Sequence, residues 1–474
     1  MTGTFAAEDR VCEEAEEQEE TVRILVPSGM LGAGFPPETV ERGIALGADV
    51  IAVDGGSTDS GPYYLGSGTA KTTAAAVARD LRILLRASAG AGIPLIVGSC
   101  GTGGTDSGVD WVAGIVGGIL REEGLDLRVA RIYSEQTAAA LKERLDEGRI
   151  HPLAPAGDLD AATLDGCSHI VGMMGHEPIV AALEAGAGVV LAGRATDTAV
   201  AAAYPLMRGM PAGPVWHASK IVECGGQCTT NPRTGGVLAT VDRGGFTVEP
   251  LDPAAACTTT SVAAHMLYET VNPFEMREPA GTLVVSEAVH TALDDRRVRV
   301  EGSRFELADQ YTIKLEGAGV TGYETMSFTA IRDPHILARI EEWVALMYEV
   351  LAGRVRQTLE LEPSGYAVDI RPYGYDAVLG SIDPASGPPR EVGVMMLVHA
   401  PDQATATAIA KIANPLMLHL PTPDMDHLPS LAFATSPAES ERGPVYRFAL
   451  NHVVDVDEPT AMFRVEIAED GSRD

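Results

Sequence analysis

The feature that most constrains this chain is a repeated unit: a short apolar run that breaks abruptly into glycine, hydroxyl and acidic residues. Val50–Val53 runs into DGGSTDSGPYYLGS, Pro94–Val97 into GSCGTGGTDSG, Ile170–Met174 into GHEP, and Val189–Ala192 into GRATDT. Runs of about four to eight apolar residues bounded by turn signals read as buried strands. Helical patterns separate them, around Glu38–Leu46, Thr72–Ala89, Val109–Glu123, Ala138–Glu147 and Pro178–Ala185, with another starting near Asp197 behind a Thr196 or Asp197 cap. Strands alternating with helices predict a parallel-sheet α/β domain with crossover helices. Ligands in such sheets bind beyond the carboxyl ends of the strands, so the polar mouths predict one shared site.

The rhythm weakens at Pro211–Pro273, where a helix ending in ECGGQC is followed by short strands at Gly236–Thr240 and Phe246–Val248. An insertion near 211–273 that folds over the sheet edge is expected. Beyond it the pattern changes. Tyr311–Leu315 is an extra strand without a place. From Thr325 onward the order is strand, helix Pro334–Arg354, strand Tyr366–Pro372, strand Val392–Ala400, helix Asp402–Leu416, strand Pro444–Val454. That is the ferredoxin-like split βαβ order. The expected division is therefore an acidic tail over 1–21, an α/β domain over 22–305, and a ferredoxin-like α+β domain over 306–474. The tail is expected to be disordered, since its glutamates repel one another with little apolar surface to offset them.

Composition decides what such a chain can bind. A net charge of −31 over 474 residues argues against nucleic acid, whose phosphates attract Lys and Arg. Only five of the 35 basic residues are Lys, so clamping of a small anionic substrate falls to Arg. No apolar run reaches the roughly 18 residues of a membrane span. The six cysteines are scattered and no secretory signal is present, which predicts reduced thiols in the cytoplasm. Cys224–Cys228 lacks the second pair of a zinc motif. A homo-oligomer is expected, as for many soluble proteins.

Several constellations carry chemistry, each with a plainer alternative. Asp54 and Asp59 follow a strand end and suit a general base or a cation ligand; Asx turns and helix caps use the same residues. The segment GSGTAKTT lacks the glycines of a phosphate loop, yet Lys71 can serve as a site cation at a helix start. Ser99, Gly101, Gly103 and Gly104 belong to a loop whose backbone N–H groups can approach an anion. Within it Cys100 is a nucleophile or a buried thiol, and Asp106 a helix cap. His176 beside Glu177 is the best acid–base candidate by titration range. Arg194, with Asp197 close behind, suits a carboxylate or phosphate, or else a structural ion pair. Glu223 stands at a helix carboxyl end, the unfavourable side of the macrodipole, and such inconsistency hints at function. His217 and Lys220 share a helix face.

Read together, these motifs resemble the acyclic terpene utilisation (AtuA-like) family. The resemblance is carried by Asp54–Asp59, GRATD at Gly193–Asp197, ECGGQ at Glu223–Gln227, SVAAHMLYE at Ser261–Glu269, VRVEGSRF at Val298–Phe305 and GPVYRF at Gly443–Phe448, over about Arg23–Glu466. It implies an N-terminal α/β domain followed by a ferredoxin-fold domain, and Asp54, Arg194, Asp197 and Glu223 as site residues. The family name refers to bacterial breakdown of acyclic terpenoids, which proceeds through carboxylation and hydration of acyl-CoA thioesters.

Three functions stay open. The first is an enzyme of the lyase, hydratase or isomerase kind acting on a small carboxylate or acyl-CoA-type substrate. In it Arg194 grips the anion with Asp197, Lys71, Ser99, Gly101, Gly103 and Gly104 around it, His176 or Glu223 moves the proton, and Asp54 or Asp59 orients water or a cation. The second is a non-catalytic partner subunit working through the ferredoxin-like domain. The third is a metal-dependent hydrolase drawing three ligands from His176, Glu177, Asp54 and Asp59. Neither a cofactor nor a metal is specified by any motif.

Overall fold

The computed structural model describes residues 20–233, 235–380 and 387–467; the acidic tail, up to residue 19, lies outside them. Five apolar runs form a parallel core in the order Val22–Val26, Val50–Asp54, Leu95–Gly98, Val189–Ala192, Val129–Tyr133. Their side chains are apolar on both faces because both faces are covered. On one side lie Leu81, Leu84 and Leu85 of helix Ala74–Ala91 with Val109, Val112 and Val116 of helix Asp106–Glu123. On the other lie Ala199 and Ala202 of helix Asp197–Met207 with Val215 and Ile221 of helix Ala212–Val222.

The architecture is mixed α/β with large mixed sheets, and the purely parallel expectation needs correcting. Val237–Val241 pairs antiparallel with Val22–Val26, Gly245–Pro250 follows it, and the sheet continues through Val298–Glu301 to Val289–Ala292. At the opposite edge Arg464–Ile467 runs antiparallel to Val129–Tyr133, which makes ten strands in all. The segment expected to fold over the edge thus extends the sheet itself. A hairpin explains why: Asp242 Oδ1 accepts the N–H groups of Gly244 (2.8 Å) and Gly245 (3.0 Å) and turns the chain back on itself.

A second correction concerns Ile170–Met174. The strand His169–Met173 does not enter the parallel core; it pairs antiparallel with residues 314–318. On its other side it meets the core mouth, where the Gly172 N–H donates to Ser134 O (2.9 Å), the Met174 N–H to Arg194 O (3.0 Å) and the Thr196 N–H to Met174 O (2.9 Å). Apolarity marks a buried strand but not the sheet it joins.

The unplaced strand at Tyr311–Leu315 is the first part of one 21-residue strand, Tyr311–Ile331. Register shifts at Gly317/Ala318, Val320/Gly322 and Glu324/Thr325 let it bend along its long partner Glu439–Val456. Its far half pairs with Val392–Ala400, which pairs with Ala367–Tyr373, all antiparallel. Helices Ile340–Leu359 and Gln403–His419 cover this sheet through Trp343, Met347, Ile409 and Ala413. The two sheets also exchange strands, because Ile150–Pro152 and His169–Met173 join the second sheet while Arg464–Ile467 joins the first.

Where the chain leaving residue 166 crosses the long strand, Gly319 allows the contact: a Cβ there would lie 2.3 Å from Gly166 O. Backbone on backbone cannot yield by a rotamer change. Gly319→Ala is therefore expected to destabilise the protein by about 1–3 kcal/mol, the range of overpacked sites, read as a lowered urea midpoint at unchanged m-value.

Candidate functional site

A cleft of about 610 Å³ opens above the carboxyl ends of Val22–Val26 and Val50–Asp54. Its floor is the loop after the first of these strands (Ser28–Met30) and the one after the second (Asp54–Ser60). The turn at Cys224–Gln227, with Arg233, Tyr268 and Glu269, forms a wall, and Lys71 and Asp197 complete the lining. The expected position, outside the strand ends, is thus occupied by a cleft, and the segment after residue 211 is what walls it.

Of the residues singled out by sequence, Asp54, Asp59, Lys71 and Asp197 line this cleft. Asp54 is 7% exposed and its Oδ1 is buried without a hydrogen-bond partner. Burial pushes its pKa well above the usual carboxylate range, helped by the charge of Asp197 and opposed by Arg194, the Ser99 hydroxyl and the Gly56 N–H. Asp197 is also raised, by burial first, with Arg194 opposing and Asp59 adding to the rise. Asp59 is exposed, and its N–H donates to Ser57 Oγ (3.2 Å) in the short turn that Ser57 caps. Lys71 Nζ donates to Ser60 Oγ (3.1 Å) across the same turn.

Arg194 lies behind the cleft rather than in it. It is 4% exposed, and its Nε donates to Glu316 Oε2 at 2.9 Å. Its Nη1 donates to Ser99 Oγ (3.1 Å), Ala195 O (3.3 Å) and Asp197 Oδ1 (3.4 Å). Glu316 comes from the long strand of the second sheet and also accepts Thr58 Oγ1 (2.9 Å) and Lys314 Nζ (2.9 Å). Burial alone would raise this carboxyl; the Arg194 and Lys314 charges beside it hold it down at about 2. The guanidinium is committed to protein groups, a structural hub rather than an exposed clamp. Sequence reading missed Glu316, which sits in the regular part of the strand with Leu315 on the opposite face, both buried because both faces of the sheet are covered.

The glycine loop is buried too. Gly101 and Gly103 pack against Gly108 and Leu65, and Ser99 is fully buried with φ 41°. Gly104 has φ 66°, and its carbonyl accepts Ser134 Oγ (2.8 Å) and the Arg194 N–H (3.2 Å). The loop thus holds Arg194 in place and does not line the cleft. Cys100 is buried and its thiol pushed far up by burial. Thr105, rather than Asp106, caps the following helix by accepting the Gly108 N–H (3.2 Å).

His176 belongs to a separate cluster. Its ring meets Trp216 edge-on (5.6 Å between centres), and Nδ1 lies 3.4 Å from Glu177 Oε2 without a hydrogen bond. Burial lowers its pKa. Glu177 accepts Tyr311 Oη (2.6 Å) instead. Glu278, raised to about 7 by burial, accepts Thr196 Oγ1 (2.8 Å) and Thr198 Oγ1 close by. The ligand pool for the hydrolase reading therefore divides, with Asp54 and Asp59 on the cleft and His176 and Glu177 off its lining.

Glu223 sits just under the cleft wall. Lys220 Nζ donates to its Oε1 at 2.5 Å, and both side chains are buried. Burial pushes Glu223 up to about 8 against the opposing charge of Lys220. The same ammonium lies 5.8 Å over the Tyr268 ring, on which His265 stacks (5.6 Å, 19°). Sequence reading gave no site role to Arg233, a few residues after the ECGGQ turn, or to His265, Tyr268 and Glu269, some forty residues after it in the SVAAHMLYE block, because nothing local marks their contact with that turn. His217, on the same helix as Lys220, bonds Ser303 Oγ through Nδ1 (2.7 Å).

The family model described as acyclic terpene utilisation family protein AtuA matches residues 71–432. No curated protein and no solved structure matches the chain. The matched span includes Arg194, Asp197 and Glu223 and starts after Asp54 and Asp59, so it is shorter than the resemblance read along Arg23–Glu466. Among the described residues, no helix is long and apolar enough to cross a membrane.

Removing Glu316 leaves a buried guanidinium without its main counter-charge. Glu316→Ala is expected to cost about 3–5 kcal/mol, as for broken buried pairs, measured by chemical denaturation. Arg194→Met combined with Glu316→Leu is expected to recover most of that loss, because the uncompensated charge is gone.

Proposed function

The chain belongs to the acyclic terpene utilisation (AtuA) family, and from that premise we propose that the cleft is the active site of an enzyme moving protons on a small acyl-type substrate. The family's link to terpene utilisation supports a catabolic context. The reaction class we favour is lyase, hydratase or isomerase chemistry by general acid–base catalysis. One observation carries the proposal: Asp54 and Asp197 line the same cleft, the Asp197 charge adds to the cost of ionising Asp54, and the buried Asp54 Oδ1 has no hydrogen-bond partner among the described residues.

Two carboxyls that repel each other's charge give up their protons in succession, so over an interval of pH one is an acid and the other a base. Asp54, the deeper of the two, holds its proton and presents it to a substrate carbonyl or leaving oxygen. Asp197, closer to solvent, accepts a proton from carbon or from water. Arg194 acts through Asp197 as a positioning residue, because its Nη1 contacts Oδ1 while Glu316 holds the guanidinium. Lys71 and Arg233, the cations of the lining, suit a carboxylate or the phosphates of a thioester carrier.

The C-terminal part is read as a ferredoxin-like domain. The support is its sheet order, Ala367–Tyr373, Val392–Ala400, Tyr311–Ile331, Glu439–Val456, with a helix after the first strand in the chain and another after the third.

Incubation with panels of acyl-CoA thioesters and hydroxy acids, with and without divalent ions, tests the reading. Turnover that Asp54→Asn lowers by about 10²–10⁴-fold, the usual worth of a general acid, supports it; no turnover across both panels sinks it in favour of a binding role. A second outcome follows from linkage. Asp54 has a raised folded pKa, so the stability it lends is present at low pH and is lost as pH rises through that value. Asp54→Asn removes the loss. Thermal unfolding from pH 4 to 9 is expected to show the variant gaining on the wild type as pH increases.

A further inference from the structure

We propose that Glu223, Cys224 and His265 form a binding site for a divalent transition-metal ion of zinc-like softness in the wall of the cleft. One donor atom from each lies within 4.8 Å of the other two. Carboxylate, thiolate and imidazole together are a donor set for zinc and its neighbours, whereas calcium and magnesium take oxygen. With bonds of about 2.0–2.3 Å, the ligands of a tetrahedral zinc stand about 3.5 Å apart. Closing the observed triangle therefore needs movements of about an ångström, within reach of side-chain torsions.

An independent observation points to a ligand here. His265 is 4% exposed and its Nε2 is buried without a hydrogen-bond partner. A buried polar atom left alone costs free energy, and a metal ion satisfies an imidazole lone pair directly. The surroundings fit. Stacking on Tyr268 sets the plane of the ring, and Lys220 holds Glu223 by Oε1, which leaves Oε2 for an ion. The ammonium charge of Lys220 is the one opposing feature. A carboxylate and a thiolate neutralise a dication, and the Glu223 and Glu269 charges act on Lys220 from the same wall.

Cys224 lines the cleft. An ion bound to it would keep a side open to the cleft, with three protein ligands and a free position, the arrangement of catalytic rather than structural zinc. The donors differ from the C-x-x-x-C pair visible in the sequence, since the Cys228 thiol turns to Gly225 O at 3.7 Å and takes no part. This inference does not depend on the acid–base reading, because its test contains no substrate.

The full chain, stripped with a chelator, is titrated with zinc by calorimetry and with cobalt(II) by absorption spectroscopy. The expected result is one ion per chain and a near-ultraviolet thiolate-to-cobalt charge-transfer band. Cys224→Ser is expected to abolish that band. His265→Gln is expected to weaken zinc by about a hundredfold or more, since partners that only support a ligand already cost about 10–100-fold. Cys228→Ser is expected to leave both signals as in the wild type. No stoichiometric zinc uptake by the wild type at micromolar concentration overturns the proposal, whatever the variants do. So does a cobalt spectrum that Cys224→Ser leaves unchanged while circular dichroism shows both proteins folded.

Discussion

Arg194 and Glu316 face each other at 2.9 Å, both withdrawn from water, and each comes from a different sheet. A buried ion pair is poor at stabilising a fold compared with well-packed apolar groups, but it is demanding about geometry: moving either partner strands the other. That demand ties the mouth of the parallel core to the long strand Tyr311–Ile331. Around it converge the Ser99 hydroxyl, the Gly104 and Ser134 contacts, Thr58 and Lys314. The glycine-rich loop after Leu95–Gly98 is explained by the same pair. A side chain at Gly104 would meet the Arg194 backbone nitrogen at 2.3 Å, so the loop is shaped by what it must pack against.

The acids of the cleft follow from this hub. Arg194 gives one hydrogen bond to Asp197 but spends its closest contact on Glu316, so Asp197 and Asp54 are only partly compensated. Burial then works against ionising both. The contrast with Glu316 is instructive, because that carboxyl is as buried yet held at about 2 by two cations and direct hydrogen bonds. A buried carboxyl is thus held low in the hub, whereas those at the cleft are shifted upward, and the difference lies in the placement of a few donors.

Much of this was legible from local pattern. The parallel strands, their helices and the Thr196 cap, which accepts the Ala199 N–H at 3.2 Å, need only apolar runs, helical spacing and cap chemistry. Asp54, Asp59, Lys71 and Asp197 could be nominated because polar residues at parallel strand ends share one side of a sheet. His176 misled for a related reason: its strand has the same apolar signature but pairs antiparallel elsewhere, and its ring is packed on Trp216. Arg194 invited a ligand-binding role because its counter-charge stands more than a hundred residues later in the chain. His265 was marked only as part of the SVAAHMLYE block and not as a partner of Glu223 and Cys224, since its proximity to them exists only after the segment beyond residue 211 has walled the cleft.

By itself the sequence determined most of the elements, the family and the side of the core on which the cleft opens. Each of these depends on interactions within a few residues, such as the spacing of apolar groups, turn-forming glycines and caps. Tertiary structure alone decided which sheet each strand joined, which charges were neutralised and which were left facing the cleft. Those outcomes depend on pairings between distant segments and on how much water is excluded around each group, and neither is written in local spacing.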